Sequence, residues 1–398
     1  MILGGSQENT VLSCEGQAQL GHELHLAYGP IYGPEGSLLE RVEKFRTQDG
    51  KGIATHIVPN MVRDVNPIAD IKCYFELRTL IEQLKPDIVH THSSKAGILG
   101  RLAAWNAKGI RRPGIVHTIH GPPFMPLDGG FFNVQKRRLN NAIYTMAETL
   151  AADHCHRIVS VANAMTEQFL KRGIGQRSQY ETVYSGMETD AFLQPAPGEE
   201  RSHMRHILGI SDSDFVIGTV ARLAEHKGHD DLLDALGDDM KRNPHLKLLW
   251  VGDGWWKQRL QSRIDALGLK HNIIMTGLVP PQRVPSLIRA MDVLAHPSAR
   301  EGLPRTVPQA LLCGVCPVAY DVDGTGEACR DMETGRLVRF GDILDLRNAI
   351  LWLRDNPAER ASMAITGKDW CLERFTTHAM VHHLGHIYAA AEKLRPLA

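Results

Sequence analysis

The sequence lacks every feature that would tie it to a bilayer core, a nucleic acid or an oxidising compartment. No apolar run approaches the ~18 residues that a spanning helix needs, although 43% of the 398 residues are hydrophobic. The opening MILGGSQENT has neither a basic n-region nor an adequate apolar core, so no secretory signal is visible. Lys plus Arg and Asp plus Glu number 45 each, which argues against a polyanion such as a nucleic acid as partner. Cysteines are few and scattered, and their number, seven, is odd. They read as reduced thiols filling cores, and the expected location is the cytoplasm. Cys313 and Cys316 have redox spacing, but a redox pair needs its first cysteine at a helix N-terminus. Here Gly314 reads as a helix C-cap and Cys316 opens a strand, so the polarity is reversed.

What remains is ordinary globular composition in quantity. A single core stops growing near ~250–300 residues, so two domains are expected. Short β-rich runs alternate with longer helical segments, which predicts α/β architecture with parallel sheets covered on both faces. The first half carries strands near His22–Ala27, Ala54–Val58, Asp87–His90, Gly114–Thr118, Arg157–Val161 and Glu181–Tyr184. The second carries Val216–Val220, Leu246–Val251, Ile273–Thr276, Val293–His296, Pro317–Asp321 and Arg336–Arg339. The polar Pro/Gly stretch Leu193–Glu200 predicts the linker, giving domains over 1–195 and 196–376. Two such units in tandem predict a ligand cleft between the carboxyl ends of their sheets. A last amphipathic helix, 377–398, has no strand to follow it and is expected to pack back on the first domain. Gly4-Gly5 resembles the turn after a central first strand, yet only three residues precede it. Either the chain start is trimmed, which is the expectation, or the first sheet is open at its middle.

Four loops carry the chemistry. Arg222 and Lys227 lie between a strand and the helix at His229, where a fork, a point charge and a helix dipole suit a diphosphate. In Ser298–Gln309, Glu301 follows a strand and Gln309 lies on the next helix, an acceptor and an amide able to grip two hydroxyl-bearing parts of one ligand. Pro308 has no N–H for the helix ladder and predicts a kink or a displaced start. In Asp323–Glu327, Gly324 and Gly326 suit backbone amides approaching a phosphate, and Glu327 falls in the first helical turn; a plain turn fits equally. His120 ends a first-domain strand, where it could polarise a sugar hydroxyl; a structural histidine is the competing reading.

Other clusters are weaker. His90 and His92 share a strand face but lack a third metal ligand nearby. His378, His382 and His386 form one helical row, which cannot close a tetrahedron, and Asp153-His-Cys-His156 alternates faces. Phe131, Phe132, Lys136, Arg137 and Arg138 form an apolar-basic patch that suits either a solvated helix face or a membrane and lipid-linked acceptor.

Taken in order, these motifs resemble the retaining glycosyltransferase family 4 of GT-B fold, over essentially the whole chain. They run from Gly4-Gly5 and Gly21-His-Glu-Leu24 through Pro86–His92, His117–Gly121 and Tyr184–Glu188 to Val220-Ala-Arg-Leu with Lys227-Gly228. Val251-Gly-Asp-Gly254, Thr276-Gly277, Ser298–Gln309, Gly314 with Pro317-Val318, Gly324 with Glu327, and Thr334-Gly335 complete the series. The resemblance implies two Rossmann-like domains and a nucleotide-diphosphate sugar as donor, with a glycan or lipid-linked acceptor and no metal or other cofactor; the apolar-basic patch, on its membrane reading, would add peripheral contact at the inner membrane face. It places Arg222 and Lys227 on the diphosphate, Glu301 on the donor sugar and Gln309 on the ribose. Gly254, Gly302, Leu303, Gly324, Thr325 and Glu327 would line the donor, Gly4 and Gly5 would lie against it, and His120 near the reacting centre. Retention at the anomeric carbon by front-face attack, without an enzymatic nucleophile, is the implied chemistry. The family carries glutamate where this chain has Gln309, so the ribose contact loses its charge. A catalytically impaired sugar-nucleotide binder and a GT-B epimerase or phosphorylase share the scaffold. A phosphorylase needs a cofactor-bearing lysine motif that is not found, and an epimerase lacks the ordered Arg222, Lys227 and Glu301 set.

Overall fold

Continuous apolar runs bounded by Gly, Pro and polar residues become strands buried on both faces, as parallel sheets require. Gly114–Ile119 is buried at every position and Val293–His296 likewise. The computed structural model describes residues 5–30, 37–62, 66–121, 124 and 131–395. In chain order the strands are β1 (His25–Tyr28), β2 (Ala54–Ile57), β3 (Ile88–His92), β4 (Gly114–Ile119), β5 (Arg157–Ser160) and β6 (Tyr180–Thr182). They continue with β7 (Phe215–Val220), β8 (Leu246–Val251), β9 (Ile273–Gly277), β10 (Val293–His296), β11 (Cys316–Asp321) and β12 (Arg336–Arg339).

The chain divides into two compact units, Met1–Met187 with Thr377–Ala398, and Glu188–Thr376. The boundary at Met187 precedes the expected linker because the short helix Asp190–Leu193 packs on the second unit. There Arg289 donates to the Ala191 carbonyl at 2.5 Å.

In the first unit β3, β4, β5 and β6 form a parallel sheet in that order, with His90 opposite Val116 and His92 opposite Thr118. β1 and β2 pair separately, so among the described residues the expected single sheet stands as two pieces. The helix Gly5–Gln19 is mostly polar yet buried along much of its length, because the last helix, Thr377–Lys393, covers it. Gln17 donates to the Val381 carbonyl at 2.9 Å, and Gly16 leaves room for Val381, whose Cγ2 would stand 2.3 Å from an added Cβ. Leu12, Val116, Val159, Leu384 and Ile387 share one core there.

The second unit holds a six-stranded parallel sheet in the order β12-β11-β10-β7-β8-β9. Trp250, Leu232, Leu236, Val293, Val318, Tyr320 and Ile350 fill its core at 0% exposure. Tyr320 keeps its hydroxyl satisfied by donating to Asp231 at 2.8 Å.

Candidate functional site

The chain runs β7-β8-β9 to one side of the second sheet and β10-β11-β12 to the other, so the order reverses between β7 and β10. Such a switch point parts the loops at the carboxyl edge, where doubly wound sheets bind ligands. Arg222 and Lys227 follow β7, Gly254 follows β8, Glu301 follows β10, and Gly324 to Glu327 follow β11. Two glycines let these loops close on one another. An added Cβ at Gly228, which sits at φ +69°, would lie 2.0 Å from the Pro297 carbonyl, and one at Gly254 would lie 2.3 Å from the Leu223 carbonyl. The His226 carbonyl accepts from the Ala299 N–H at 2.8 Å and from the Ser298 hydroxyl at 3.1 Å, tying the β7 and β10 loops together.

Lys227 and Glu301 meet at this junction. Lys227 Nζ stands 2.5 Å from Glu301 Oε1, with the side chains 19% and 14% exposed. His296, the buried last residue of β10, places Nε2 3.1 Å from the same oxygen. Its Nδ1 stands 3.1 Å from the Thr306 hydroxyl. The Thr306 hydroxyl can serve Nδ1 as donor or acceptor, which leaves Nε2 to carry a proton toward the carboxylate. The Glu301 N–H donates to Asp323 Oδ2 at 2.8 Å. Burial pushes the Glu301 carboxyl up, but the hydrogen bond and charge of His296, followed by those of Lys227, outweigh it and hold the group well below the usual carboxylate range. His296 lies outside every sequence motif, its one signal being a histidine that ends the strand just before Ser298–Gln309, while Thr306 and Asp323 lie inside motifs that assigned them no role.

The remaining candidates surround this pair unevenly. Arg222 is exposed, its guanidinium 5.6 Å from the ring of Trp255, an aromatic side chain 66% exposed that the sequence reading also overlooked. Pro308 does displace the helix start. The helix runs Thr306–Leu312, so Pro308 lies in the first turn, where its missing N–H breaks no intrahelical bond, and Gln309 follows half-buried. Leu303 is buried. Of the amides expected to approach a phosphate at Gly324 and Gly326, that of Gly324 donates instead to the Gly302 carbonyl at 3.1 Å, tying the β10 and β11 loops together, and the Thr325 N–H turns back to the Val322 carbonyl at 2.9 Å within the β11 loop. Thr325 instead offers a fully buried hydroxyl with no hydrogen-bond partner among the described residues. Glu327 is half-buried in the four-residue helix Thr325–Ala328.

In the first unit, strand alternation brings His90 and His92 together with ring centroids 4.2 Å apart. His92 Nδ1 lies 2.9 Å from His120 Nε2, and the two rings stack. His90 is held at 2.7 Å by both the Tyr388 and Thr118 hydroxyls, and His117 at 2.9 Å by that of Thr91. Burial lowers His92 to about 4 and takes His90 and His117 well below the ordinary imidazole range. A pocket beside them is lined by Ser6, Ser93, Ser94, Thr118, His120 and Glu148. Beneath it Arg101 and Glu148 form a buried ion pair at 2.6 Å. Gly5 is the exposed first residue of its helix, and Gly4 lies outside the described residues.

The weaker clusters do not assemble. Among the described residues no three His, Cys, Asp or Glu side chains converge on a metal position. His378, His382 and His386 are exposed along one helix. His154 contacts the Leu150 carbonyl at 2.6 Å, while His156 accepts from the Ile115 N–H at 2.8 Å. Cys313 and Cys316 are both pushed up to about 12 by burial, unlike a redox thiolate. The apolar-basic patch extends differently from expectation. The side chains of Phe131 and Phe132 lie outside the described residues, but their helix, Phe131–Ala152, exposes Leu139, Ile143, Met146 and Leu150 at helical spacing. Lys136 and Arg138 are exposed immediately before that stripe.

This architecture has close counterparts. The family model described as Glycosyltransferase Family 4 matches residues 3–191, and that described as Glycosyl transferases group 1 matches residues 200–370. The chain is 28% identical over 308 residues to the UDP-Gal:alpha-D-GlcNAc-diphosphoundecaprenol alpha-1,3-galactosyltransferase of Escherichia coli, covering 76% of each protein. It is 27% identical to the GDP-mannose-dependent alpha-(1-6)-phosphatidylinositol monomannoside mannosyltransferase of Mycolicibacterium smegmatis, covering 60% of this chain and 63% of that protein. Anabaena HepE in complex with UDP superposes with a TM-score of 0.77 at 20% identity, covering 97% of this chain and 96% of the other. With a switch-point site in the second unit and family models spanning nearly all of both, the chain belongs to the family 4 glycosyltransferases of GT-B fold.

Proposed function

We propose that this enzyme transfers a sugar, with retention, from a nucleotide-diphosphate donor to a lipid-linked or glycan acceptor at the cytoplasmic membrane face. The observation that carries the reading is the Lys227–Glu301 pair at the strand-order reversal, a cation and an acceptor placed within one ligand's reach. Lys227 and Arg222 take the diphosphate and stabilise the charge that grows on it as the glycosidic bond breaks. Glu301 accepts from donor-sugar hydroxyls, Gln309 hydrogen-bonds the ribose, and the unpartnered Thr325 hydroxyl finds its partner on the donor. His120, oriented by His92, hydrogen-bonds the sugar at the reacting centre. Cations and dipoles suffice for the leaving group, so transfer proceeds without a bound metal. The leaving diphosphate oxygen takes the acceptor's proton as the acceptor attacks the same face, so no side chain forms a bond to the sugar. Membrane contact is supported by the exposed stripe Leu139, Ile143, Met146 and Leu150 beside Lys136 and Arg138.

A screen of UDP-, GDP- and ADP-sugars by binding and turnover tests the reading, with Lys227→Ala and Glu301→Ala as controls. One donor is expected to bind and turn over with a lipid-diphosphate acceptor, both variants losing at least tenfold in kcat/KM. No binding of any nucleotide would sink the proposal. Gln309, standing where the family has glutamate, favours one competitor, a sugar-nucleotide binder; tight donor binding without transfer to any acceptor would establish it instead.

A further inference from the structure

Among the described residues Glu301 has two side-chain partners on one oxygen, and a donor would compete for only one of them. Lys227 comes from the β7 loop at 2.5 Å and His296 from the end of β10 at 3.1 Å, both on Oε1. The lysine is a flexible point charge, free to swing to a phosphate. The histidine has no such freedom. It is 5% exposed, lies within a strand buried at every position, and is pinned through Nδ1 by Thr306 at 3.1 Å. We propose that donor binding exchanges these partners: the diphosphate draws Lys227 off Glu301, and His296 is the positioning residue that keeps the carboxylate aimed at the sugar. The proposal rests on the donor reading above.

The exchange has an asymmetric consequence. A nucleoside diphosphate takes Lys227 and returns nothing to Glu301, leaving the carboxylate on His296 alone. A sugar nucleotide takes Lys227 and supplies sugar hydroxyls in its place. A carboxylate this shielded is costly to leave without a partner, so removing His296 penalises the bare nucleotide more than the complete donor. Among the described residues, the other charged groups near the pair include His226 beside Lys227, Arg222 and Arg300 near His226, and Asp323 at the Glu301 amide. Neither His226 nor Asp323 provides a side-chain hydrogen bond to the Glu301 carboxylate.

Titration calorimetry with UDP and UDP-galactose, or GDP and GDP-mannose, whichever pair the wild type binds, tests this. His296→Leu is expected to weaken the bare nucleotide at least tenfold more than the sugar nucleotide. His296→Gln, whose amide reaches the Nε2 position, is expected to restore the wild-type affinity ratio. This second variant also keeps the test open if the leucine variant does not fold. His226→Gln is expected to keep the ratio. Equal weakening of both ligands in His296→Leu, or a His296→Gln variant that fails to hold the wild-type ratio, would overturn the exchange while leaving the donor reading intact. A wild type that binds no nucleotide would overturn both.

Discussion

Nζ of Lys227 stands 2.5 Å from Oε1 of Glu301, so the two groups proposed to grip a donor neutralise each other before one arrives. Replacing the carboxylate by its neutral isostere frees the lysine. Glu301→Gln is expected to bind a bare nucleoside diphosphate several-fold more tightly than wild type, while transfer falls at least a hundredfold; calorimetry and a turnover assay read the two effects separately. The pair also leaves a mark on stability. The Glu301 carboxyl is lowered from 4.5, so its stabilisation is complete above about pH 4.5 and is lost as the pH falls toward the lowered value. The stability difference between wild type and Glu301→Gln is therefore expected to be constant from pH 7 to 5 and to shrink below 4.

The histidines of the first unit act in the same sense, in a higher pH window. Burial lowers His92 from 6.5 to about 4, so the unfolded chain takes up a proton there before the folded one does. Stability contributed by the neutral ring is complete above pH 6.5 and is lost between 6.5 and 4, at up to about 1.4 kcal/mol per pH unit for one such group. Denaturant midpoints are expected to fall between pH 7 and 5, and to fall less steeply in His92→Asn, whose amide approximates Nδ1. A midpoint independent of pH over that range would contradict the neutral, hydrogen-bonded cluster.

Strands were the most legible feature of the sequence, because each is an apolar run closed by a turn residue. β7 to β12 lie within a residue or so of their expected spans, whereas β1 and β6 shift by two or three at an end where polar residues blur the boundary. Glu301 and Lys227 could be paired on paper only through their loops; their contact depends on Gly228 and Ser298 docking one loop on the other, which no local pattern encodes. His296 was invisible for a related reason. Its partners lie five and ten residues downstream, beyond a proline turn, so neither strand nor helix periodicity brings them together. Gly324 misled in the other direction. A glycine after a strand suits a phosphate loop, but here its N–H ties two loops, a use that depends on where the Gly302 carbonyl arrives.

Arg101 and Glu148 meet at 2.6 Å with side chains 1% and 3% exposed, and Arg101 also donates to the Gly97 carbonyl at 3.0 Å. Removing one partner leaves a buried charge uncompensated. Glu148→Ala is expected to cost about 3–5 kcal/mol of unfolding free energy. The double variant Arg101→Met/Glu148→Leu is expected to recover most of that loss, since two apolar side chains of similar volume need no counter-charge. Chemical denaturation of the single and double variants separates the outcomes; a double variant as unstable as the single would show that the pair has a packing role beyond its charge.

Leu139, Ile143, Met146 and Leu150 expose 50% to 70% of their surfaces on one helix, a stripe that a water-facing helix would not keep apolar. The helix's one acidic residue, Glu148, is buried against Arg101, so its exposed charges, Lys136 and Arg138, are both positive. An interfacial helix draws on both terms, apolar burial and attraction to anionic lipid, with each basic residue near the surface contributing about 1 kcal/mol. Sedimentation with phosphatidylglycerol vesicles is expected to exceed that with phosphatidylcholine vesicles and to weaken with salt. Lys136→Gln/Arg138→Gln should reduce only the anionic-lipid component. Ile143→Ser/Met146→Ser should reduce binding to both lipids while leaving donor turnover with a water-soluble acceptor unchanged. Equal binding of all forms to both vesicles would remove this helix as the membrane contact.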